Sequence, residues 1–162
     1  MINTLKESKI LLILSCGKKK NPKLKIKSIK AIDAYLGPMY QVLRKRLPFW
    51  PPNFFLGIIS AKYGFLHSFD LIEYYDLKMT SKIAQKHRLS VISSIQEWNN
   101  KEHFNFIYIL MGKVYLLSIK GIQDIIPTTI EIDSMGGLGV GQQKLVKFLE
   151  KYFKNPPKKH VL

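Results

Sequence analysis

The segment Lys9-Ile-Leu-Leu-Ile-Leu-Ser15 is a near-continuous apolar run that ends in Cys16-Gly17, and this run decides the fold class. Phe54–Ser60 and residues 104–111 have the same character, and residues 128–133 form a weaker fourth run. Continuous apolar runs, unlike alternating ones, are typical of parallel strands that are covered on both faces. We therefore expect four buried parallel strands.

Helical patterns separate these four runs. They span residues 29–47, 80–98, 114–122 and 141–153, with Gly and Pro at the joints. Strands that alternate with helices predict a doubly wound sheet with right-handed crossovers. The expected fold is α/β: a three-layer α/β/α sandwich with a mainly parallel, Rossmann-like sheet of about four strands.

The length of 162 residues suits one domain, with a core over residues 9–153 and a loose basic tail at 154–162. No apolar run approaches the ~20 residues needed to span a bilayer. The polar start of the chain also lacks the apolar stretch of a signal peptide. Because Cys16 is the single cysteine, no internal disulfide can form, and a cytoplasmic location is the default expectation.

The charge of the chain is the first functional hint. Lys and Arg number 26 against 11 Asp and Glu, which gives a net charge of +15. Such a field attracts polyanions and speeds their encounter. The alternative is that a Lys/Ile-rich composition merely reflects a low-GC genome. The lysines cluster near the expected site, which favours a nucleic acid or a nucleotide-like anionic ligand as the partner. Because no apolar run could span a bilayer, no membrane partner is expected.

Ligands of open parallel sheets bind beyond the carboxyl ends of the strands. All four expected strand exits carry small residues, and three also carry lysine. These exits and the start of the first helical pattern predict ligand contacts from Ser15, Gly17, Lys18, Lys19, Asp33, Tyr35, Ser60, Gly64, Gly112, Lys113, Tyr115, Gly137, Gly139, Gly141 and Gln142. The last glycine run lacks the Lys-Ser/Thr of a P-loop, so a plain flexible turn is its alternative.

Two residues at the strand exits could carry chemistry. Cys16 stands beside Lys18 and its neighbours, where a cysteine is activated as a nucleophile, although a buried and inert cysteine is the alternative. Lys62 could neutralise a phosphate or carboxylate, or act as an amine nucleophile if it is desolvated. The serines at the same exits commonly cap backbone groups.

The connection over residues 61–79 is long, aromatic and rich in polar side chains. Connections of this length tend to be functional or disordered, so we predict a lid over the site, with Tyr63, Tyr75 and Asp76 facing the ligand. Asp76 or Glu73 is the candidate general base, assisted by Cys16 or Lys62. The alternative is that the tyrosines pack the connection onto the sheet.

The four histidines lack metal-ligand spacing with the lone cysteine, so we predict no structural zinc and no cofactor.

Five stretches of the sequence follow one pattern: Ser15-Cys16-Gly-Lys-Lys-Lys20, Ala31-Ile-Asp-Ala-Tyr-Leu-Gly-Pro-Met-Tyr40, Ile59-Ser-Ala-Lys-Tyr-Gly-Phe-Leu66 with Tyr75-Asp76, Met111-Gly-Lys-Val-Tyr115, and Gly137-Leu-Gly-Val-Gly-Gln142. The pattern resembles a family of small, largely uncharacterised α/β proteins from prokaryotes and phages. Some of its members are loosely labelled YaaA-like, after a peroxide-stress protein. The resemblance covers roughly residues 9–150.

A more distant likeness is to one domain of archaeosine synthase, a tRNA 7-deazaguanine modification enzyme whose domain is similar in fold to uracil-DNA glycosylases. This chain lacks the water-activating motif of true uracil glycosylases. The likeness implies the fold and a nucleobase or nucleic-acid theme. Two function classes therefore stay open: an enzyme acting on a nucleobase or an N-glycosidic bond, and a non-catalytic basic protein that binds nucleic acid or protects it under stress.

Overall fold

The structure is a computed structural model, and it describes residues 8–153. Within these residues the strands are β1 (Ile10–Ser15), β2 (Ile29–Lys30), β3 (Phe54–Ser60), β4 (Gly64–His67), β5 (Leu71–Ile72), β6 (Phe106–Met111) and β7 (Thr129–Ser134). The helices are α1 (Ala31–Ala34), α2 (Pro38–Arg46), α3 (Ser81–Glu102), α4 (Lys113–Leu116), α5 (Ile122–Ile125) and α6 (Leu138–Tyr152). Two 3-10 turns lie at Pro22–Lys25 and Leu117–Ile119.

The central sheet has the strand order β4-β3-β1-β6-β7. The four strands predicted from the apolar runs, β1, β3, β6 and β7, are parallel to one another. Strand β4 pairs antiparallel with β3 at one edge, from Gly57 opposite His67 to Ser60 opposite Gly64. The predicted three-layer, mainly parallel α/β fold is thus confirmed, with one antiparallel strand added.

Alternate residues of the central strands supply two separate cores, because successive side chains of a strand point to opposite faces. On β1, Leu12 and Leu14 pack into the core beneath α2 and α6. Leu11 and Ile13 pack into the core beneath α3. All four are at most 1% exposed, which explains why β1 appears in the sequence as a continuous apolar run.

Helix α3 confirms the helical pattern predicted over residues 80–98 and extends it by four residues. It begins where the hydroxyl of Thr80 accepts a hydrogen bond from the backbone N–H of Ile83, which is a side-chain cap. It ends at His103, which has a left-handed φ of 56°. Since a helix that returns the chain to the next parallel strand runs antiparallel to the sheet, α3 begins at the carboxyl edge of the sheet and ends at the opposite edge.

One continuous helix over residues 29–47 was a wrong prediction. The chain instead forms β2, α1, an extended break at residues 35–37, and α2. Pro38 begins α2, and the proline ring forces the residue before it out of the helical region. The break allows Tyr35 to form an isolated antiparallel bridge with Lys20.

Three further expectations need correction. Residues 61–79 are not one long loop, because they contain β4 and also β5, which pairs antiparallel with β2, and the role of this segment as a lid stays a prediction. The helix predicted over residues 114–122 is divided into α4, the Leu117–Ile119 turn and the start of α5. Helix α6 begins at Leu138, three residues before the predicted start. The tail predicted to be loose, residues 154–162, lies outside the described residues.

No helix within residues 8–153 is both long enough and apolar enough to cross a membrane.

Candidate functional site at the strand exits

In the central sheet β1 lies between β3 on one side and β6 on the other. The chain passes from β1 to β3 and later crosses to β6, so the topological switch point lies between β1 and β6. Open α/β sheets bind ligands in the crevice beyond the carboxyl ends of the strands at this point. The two segments that leave the sheet there begin with Cys16 and Gly112.

Cys16 and Tyr115 meet at this switch point. The Cys16 Sγ lies 3.2 Å from the Tyr115 hydroxyl, a contact in which either atom can donate. The backbone N–H of Cys16 donates to the carbonyl of Ile59, which continues the β1–β3 pairing to the exit and fixes the position of the thiol. Cys16 is 8% exposed and Tyr115 is half-buried, so the pair is only partly accessible to solvent.

A chain of three buried hydroxyl groups lies beside this pair. Ser60 donates a 2.9 Å hydrogen bond to the Tyr75 hydroxyl, which is 2.7 Å from the Tyr35 hydroxyl. Ser60 also accepts hydrogen bonds from the backbone N–H groups of Lys62 and Tyr63, so it caps the turn that follows β3. Every buried side-chain nitrogen or oxygen within residues 8–153 has a hydrogen-bond partner.

Local structure explains how the tyrosines reach this position. Tyr35 stands at the break between α1 and α2, and Tyr75 lies three residues beyond β5. The Lys20 Nζ lies 4.5 Å from the centre of the Tyr75 ring, and the Tyr63 ring packs edge-on against it at 5.6 Å. The Tyr63 hydroxyl in turn accepts a hydrogen bond from the backbone N–H of Glu73.

Burial raises the pKa of the Tyr35, Tyr40, Tyr75 and Tyr115 hydroxyls well above the ordinary value of 10.0. Proximity to Cys16 raises the pKa of Tyr40, Tyr75 and Tyr115 further. These phenols therefore keep their protons through the neutral range. The Tyr40 hydroxyl donates to the Ser15 carbonyl, and the half-buried Tyr115 hydroxyl can donate to the thiol or to an atom of a ligand.

The lysines predicted at the exits, Lys18, Lys19, Lys62 and Lys113, are all exposed. None of them forms an ion pair with a carboxylate in the part of the chain that the structure describes. Among these four, within residues 8–153, only the Lys62 Nζ has a defined neighbour, the Tyr63 ring at 5.2 Å. The exit edge therefore carries positive charge that no acidic side chain of the described residues neutralises.

The predicted glycines divide into two groups. A Cβ added at Gly17, Gly112, Gly137 or Gly139 would meet no atom within 4 Å, so these four positions border open space. Gly64 instead faces α3, where a Cβ would lie 3.4 Å from His87 Nδ1, and its φ of +74° favours glycine. Gly141 is packed against the Met135 side chain.

Within residues 8–153, no side chain of the predicted acidic residues forms a hydrogen bond with the Cys16–Tyr115 pair or the hydroxyl chain. Asp76 and Glu73 are exposed, and neither side chain has a hydrogen bond or an ion pair within residues 8–153. Asp33 is exposed and lines a separate cavity of about 360 Å³ with Lys23, Lys27 and Arg44. The role of Asp76 or Glu73 as a general base stays a prediction.

Two other predicted residues have other surroundings. Gln142 lines a groove of about 610 Å³ between α2 and α6. The backbone carbonyl of Ser15 accepts a 2.7 Å hydrogen bond from the Tyr40 hydroxyl. Asp133, at the end of β7, accepts a 2.7 Å hydrogen bond from Tyr108 and lies 3.8 Å from Lys144.

Sequence reasoning did not include Lys20 and Tyr40 among the site residues. Lys20 is the third lysine of the run after β1, and its contact with the Tyr75 ring joins residues 55 positions apart in the sequence. Tyr40 ends the second of the quoted stretches, and its hydroxyl donates to the Ser15 carbonyl at the end of β1. Both residues lie in the stretches of sequence quoted above, and that position is the signal that could have identified them as site residues.

Within residues 8–153, no three His, Cys, Asp or Glu side chains are gathered in a group that could hold a metal ion. The donor groups at the exit edge are hydroxyls, a thiol, ammonium groups and open backbone. Such a set fits an organic ligand that carries negative charge and hydrogen-bonding edges.

Comparison with protein families gives one match that covers most of the chain. A model described as a family of unknown function, DUF6884, matches residues 10–150. The chain belongs to the DUF6884 family. The matched residues include every strand of the central sheet and all the strand exits, so the Cys16–Tyr115 pair and the hydroxyl chain lie inside the family region of this DUF6884 member.

Among solved structures, this DUF6884 chain is similar to the crystal structure of AF0587, a protein of unknown function. The TM-score is 0.53 at 12% sequence identity, and the match covers 92% of this chain and 46% of that chain. At this identity the likeness concerns the fold alone, and this chain spans less than half the length of that protein. Comparison with curated proteins finds no match.

These comparisons confirm the coarser expectation, membership in a family without an assigned function. The finer resemblances, to YaaA-like proteins and to the archaeosine synthase domain, stay predictions.

Proposed function

We propose that the strand-exit edge binds a nucleotide-like anionic ligand, either free or as a unit of a nucleic acid. One observation carries the proposal: the Cys16–Tyr115 contact lies at the topological switch point, and exposed exit lysines without carboxylate partners follow β1, β3 and β6. Crevices at switch points bind nucleotides in many unrelated folds, and unpaired lysines supply the charge that phosphates require.

The division of labour follows from the chemistry of each group. Lys18, Lys62 and Lys113 would contact phosphate oxygens as mobile point charges. The open backbone at Gly17 and Gly112 allows the ligand to approach closely. The protonated Tyr115 hydroxyl can donate to a base or sugar.

The overall charge supports an anionic ligand. With 26 basic residues against 11 acidic ones, attraction of a polyanion extends over the molecular surface. Within residues 8–153 the acidic side chains form only four ion pairs, and one of these involves a histidine. Much of the positive charge is therefore free to bind phosphate.

The contact of Cys16 with Tyr115 also favours a catalytic version of this function, in which the protein acts on a nucleobase or an N-glycosidic bond. A thiol at the switch point is a potential nucleophile or proton carrier, and a neighbouring phenol can share its proton. Lys62 is the second reactive group, and Asp76 or Glu73 is the candidate base. The resemblances to YaaA-like proteins and to the archaeosine synthase domain support the nucleobase theme.

The experiment compares two triple variants with equal loss of charge. Lys18→Gln/Lys62→Gln/Lys113→Gln removes one lysine from each of three strand exits. Lys45→Gln/Lys101→Gln/Lys151→Gln removes one exposed lysine near the end of each of three helices, at the opposite edge of the sheet. Fluorescence anisotropy with a labelled oligonucleotide at low salt should give at least about tenfold weaker binding for the exit triple only, since each lost phosphate contact weakens binding. Equal losses in both triples would contradict a site at the exits.

The catalytic version has a separate test. Cys16→Ala should keep oligonucleotide binding within about twofold of the unsubstituted protein, because the thiol makes no ionic contact with phosphate. The unsubstituted protein should release or modify a base, detected by nucleoside analysis of the digested product, and the variant should not. Equal activity of both proteins would remove Cys16 from the chemistry.

A further inference from the structure

A second row of lysines and aromatic rings begins at the exit edge and continues along the side of the molecule. It is built on the two-stranded ribbon of β2 and β5, in which Ile29 pairs with Ile72 and Lys30 with Leu71. The N–H of Ala31 donates to the Asp70 carbonyl and extends the pairing. Ile72 is 1% exposed and packs into the core, so its neighbour Leu71 points outward.

Three lysines lie over three rings along this ribbon. Lys20 lies 4.5 Å from the centre of the Tyr75 ring, Lys25 lies 5.6 Å from Tyr74, and Lys30 lies 5.3 Å from Phe69. The three lysines are five residues apart along the chain. Their ring partners, in the same order, are Tyr75, Tyr74 and Phe69, so the rings run in the opposite chain direction. Tyr75 of the first pair also belongs to the hydroxyl chain at the exit edge, so the row of lysines and rings begins at the candidate site.

The outer part of the row is exposed and apolar. The exposed fractions are 88% for Ile26, 69% for Leu71, 58% for Phe69 and 45% for Tyr74. We call these four residues, with Lys25 and Lys30, the ribbon surface. Contiguous exposed apolar groups are uncommon on soluble proteins and mark surfaces that bind a partner.

The charge of the ribbon surface favours an anionic partner. Residues 18–30 contain seven lysines and no acidic residue. Among the acids of the facing segment, the Asp70 carboxylate accepts a hydrogen bond from the His67 backbone N–H at 2.8 Å and lies 3.3 Å from the His67 ring. Glu73 is the exposed acid nearest to the ribbon surface in the sequence, and its carboxylate forms no ion pair within residues 8–153.

We propose that the ribbon surface binds single-stranded nucleic acid and guides it to the strand-exit edge. This inference rests on the proposed function and names its substrate class. Aromatic rings interleaved with lysines are the pattern by which proteins hold single strands, because the rings stack on bases and the lysines contact phosphates. In a duplex the bases are already stacked inside the helix, so Phe69 and Tyr74 would find no partner there.

The size of the ribbon surface limits the length of strand that it holds. Residues 69–75 span at most about 20 Å, since an extended chain rises by about 3.3 Å per residue. The surface therefore covers only a few nucleotides, and those nearest Tyr75 lie at the exit edge. Affinity should rise with oligonucleotide length and then stop rising once the surface and the exit edge are both filled.

The test compares a fluorescein-labelled oligothymidylate with a duplex of equal phosphate number, by anisotropy at low salt. The unsubstituted protein should bind the single strand at least about tenfold more tightly than the duplex, because stacking adds to the phosphate contacts. Phe69→Ser/Tyr74→Ser should reduce single-strand binding to the level of the duplex. The control Leu89→Ser/Ile125→Ser, which removes exposed apolar side chains that are 73% and 45% exposed on the other face, should keep the preference.

Two outcomes overturn the ribbon proposal alone. One is equal binding of single strand and duplex, and the other is a ribbon variant that keeps its single-strand preference. In both cases weaker binding of the exit-lysine triple would leave the proposed function intact. No binding of either nucleic acid by the unsubstituted protein would reject the ribbon proposal and the nucleic-acid form of the proposed function together, and a mononucleotide titration would then test its small-ligand form. A further outcome is that vesicles containing phosphatidylserine displace the single strand from the unsubstituted protein and the control variant but not from the ribbon variant. This outcome would reassign the ribbon surface to membranes.

Folding of the ribbon variant is checked by circular dichroism before the titration. If the double variant loses its native signal, Tyr74→Ser alone gives the same comparison, because within residues 8–153 the Tyr74 ring has one ring or ion contact, with Lys25. A Tyr74→Ser protein that is folded and retains full single-strand preference would also overturn the proposal.

Discussion

The hydroxyl groups of Tyr35 and Tyr75 lie 2.7 Å apart, although the two residues are 40 positions apart in the sequence. This contact joins the break before α2 to the segment that follows β5, and Ser60 ties both to the end of β3. Three separate parts of the chain thus meet at one buried point beside the switch point. The arrangement holds the walls of the candidate site together.

Tyr75→Phe should destabilise the protein by about 2 kcal/mol, because Tyr35 and Ser60 would each lose a buried hydrogen-bond partner. Tyr74→Phe is the matched control: Tyr74 is 45% exposed, and phenylalanine retains a ring for the contact with Lys25. It should change the free energy of unfolding by less than about 0.5 kcal/mol. Urea denaturation monitored by circular dichroism measures both values. Equal effects of the two substitutions would show that the hydroxyl chain does not stabilise the fold.

Stability should fall steeply above pH 10. Burial raises the pKa of Tyr35, Tyr40, Tyr75, Tyr108 and Tyr115 in the folded state, and the ordinary value for an exposed tyrosine is 10.0. Below pH 10 both states keep these protons, so the full stability is present. Above it the unfolded chain loses protons that the folded chain retains, and stability is lost at up to about 1.4 kcal/mol per pH unit for each tyrosine.

The measurement for this prediction is the tyrosinate absorbance at 295 nm during an alkaline titration. The chain has eight tyrosines, and the five named here should ionise only as the near-ultraviolet circular dichroism signal is lost. Ionisation of more than three tyrosines while that signal remains native would contradict the burial of the hydroxyl groups.

Substitution by alanine should lower the stability of the protein at one glycine and leave it unchanged at another. A Cβ at Gly57, in the middle of β3, would lie 2.7 Å from the Phe65 ring, so Gly57→Ala should cost about 1–3 kcal/mol through overpacking. A Cβ at Gly112 would meet nothing within 4 Å, so Gly112→Ala should leave the thermal midpoint unchanged. At the proposed site, however, the added methyl group should weaken ligand binding. A normal thermal midpoint for Gly57→Ala would mean that the Phe65 ring can move away from β3.

The parallel sheet could be predicted from the sequence because β1, β3 and β6 are buried on both faces and are therefore apolar throughout. Strand β4 could not, since it has only four residues and lies directly after the turn that Ser60 caps. The break at residues 35–37 was missed for a different reason. The helical pattern predicted over residues 29–47 runs across Gly37 and Pro38, and its periodicity outweighed the signal that this Gly-Pro pair provides.

The candidate site, like the fold, could be predicted only in part from the sequence. The exits of parallel strands meet at one edge, so the sequence predicted that the residues after β1 and β6 lie near one another, as Cys16 and Tyr115 do. The hydroxyl chain had no local signal, because it depends on how β5 packs against the sheet. Nor could the sequence distinguish Gly64, which faces α3, from Gly112, which borders open space, since both follow buried strands.

The salt dependence of oligonucleotide binding tests the central claim most directly, because its slope counts phosphate contacts independently of overall stability. For a single strand each lysine–phosphate contact adds about 0.7 to the slope of log Kd against log salt concentration. We predict that Lys18→Gln/Lys62→Gln/Lys113→Gln lowers this slope by about 2, while Lys45→Gln/Lys101→Gln/Lys151→Gln leaves it unchanged. An unchanged slope in the exit triple, or an equal fall in both triples, would contradict a phosphate-binding site at the strand exits.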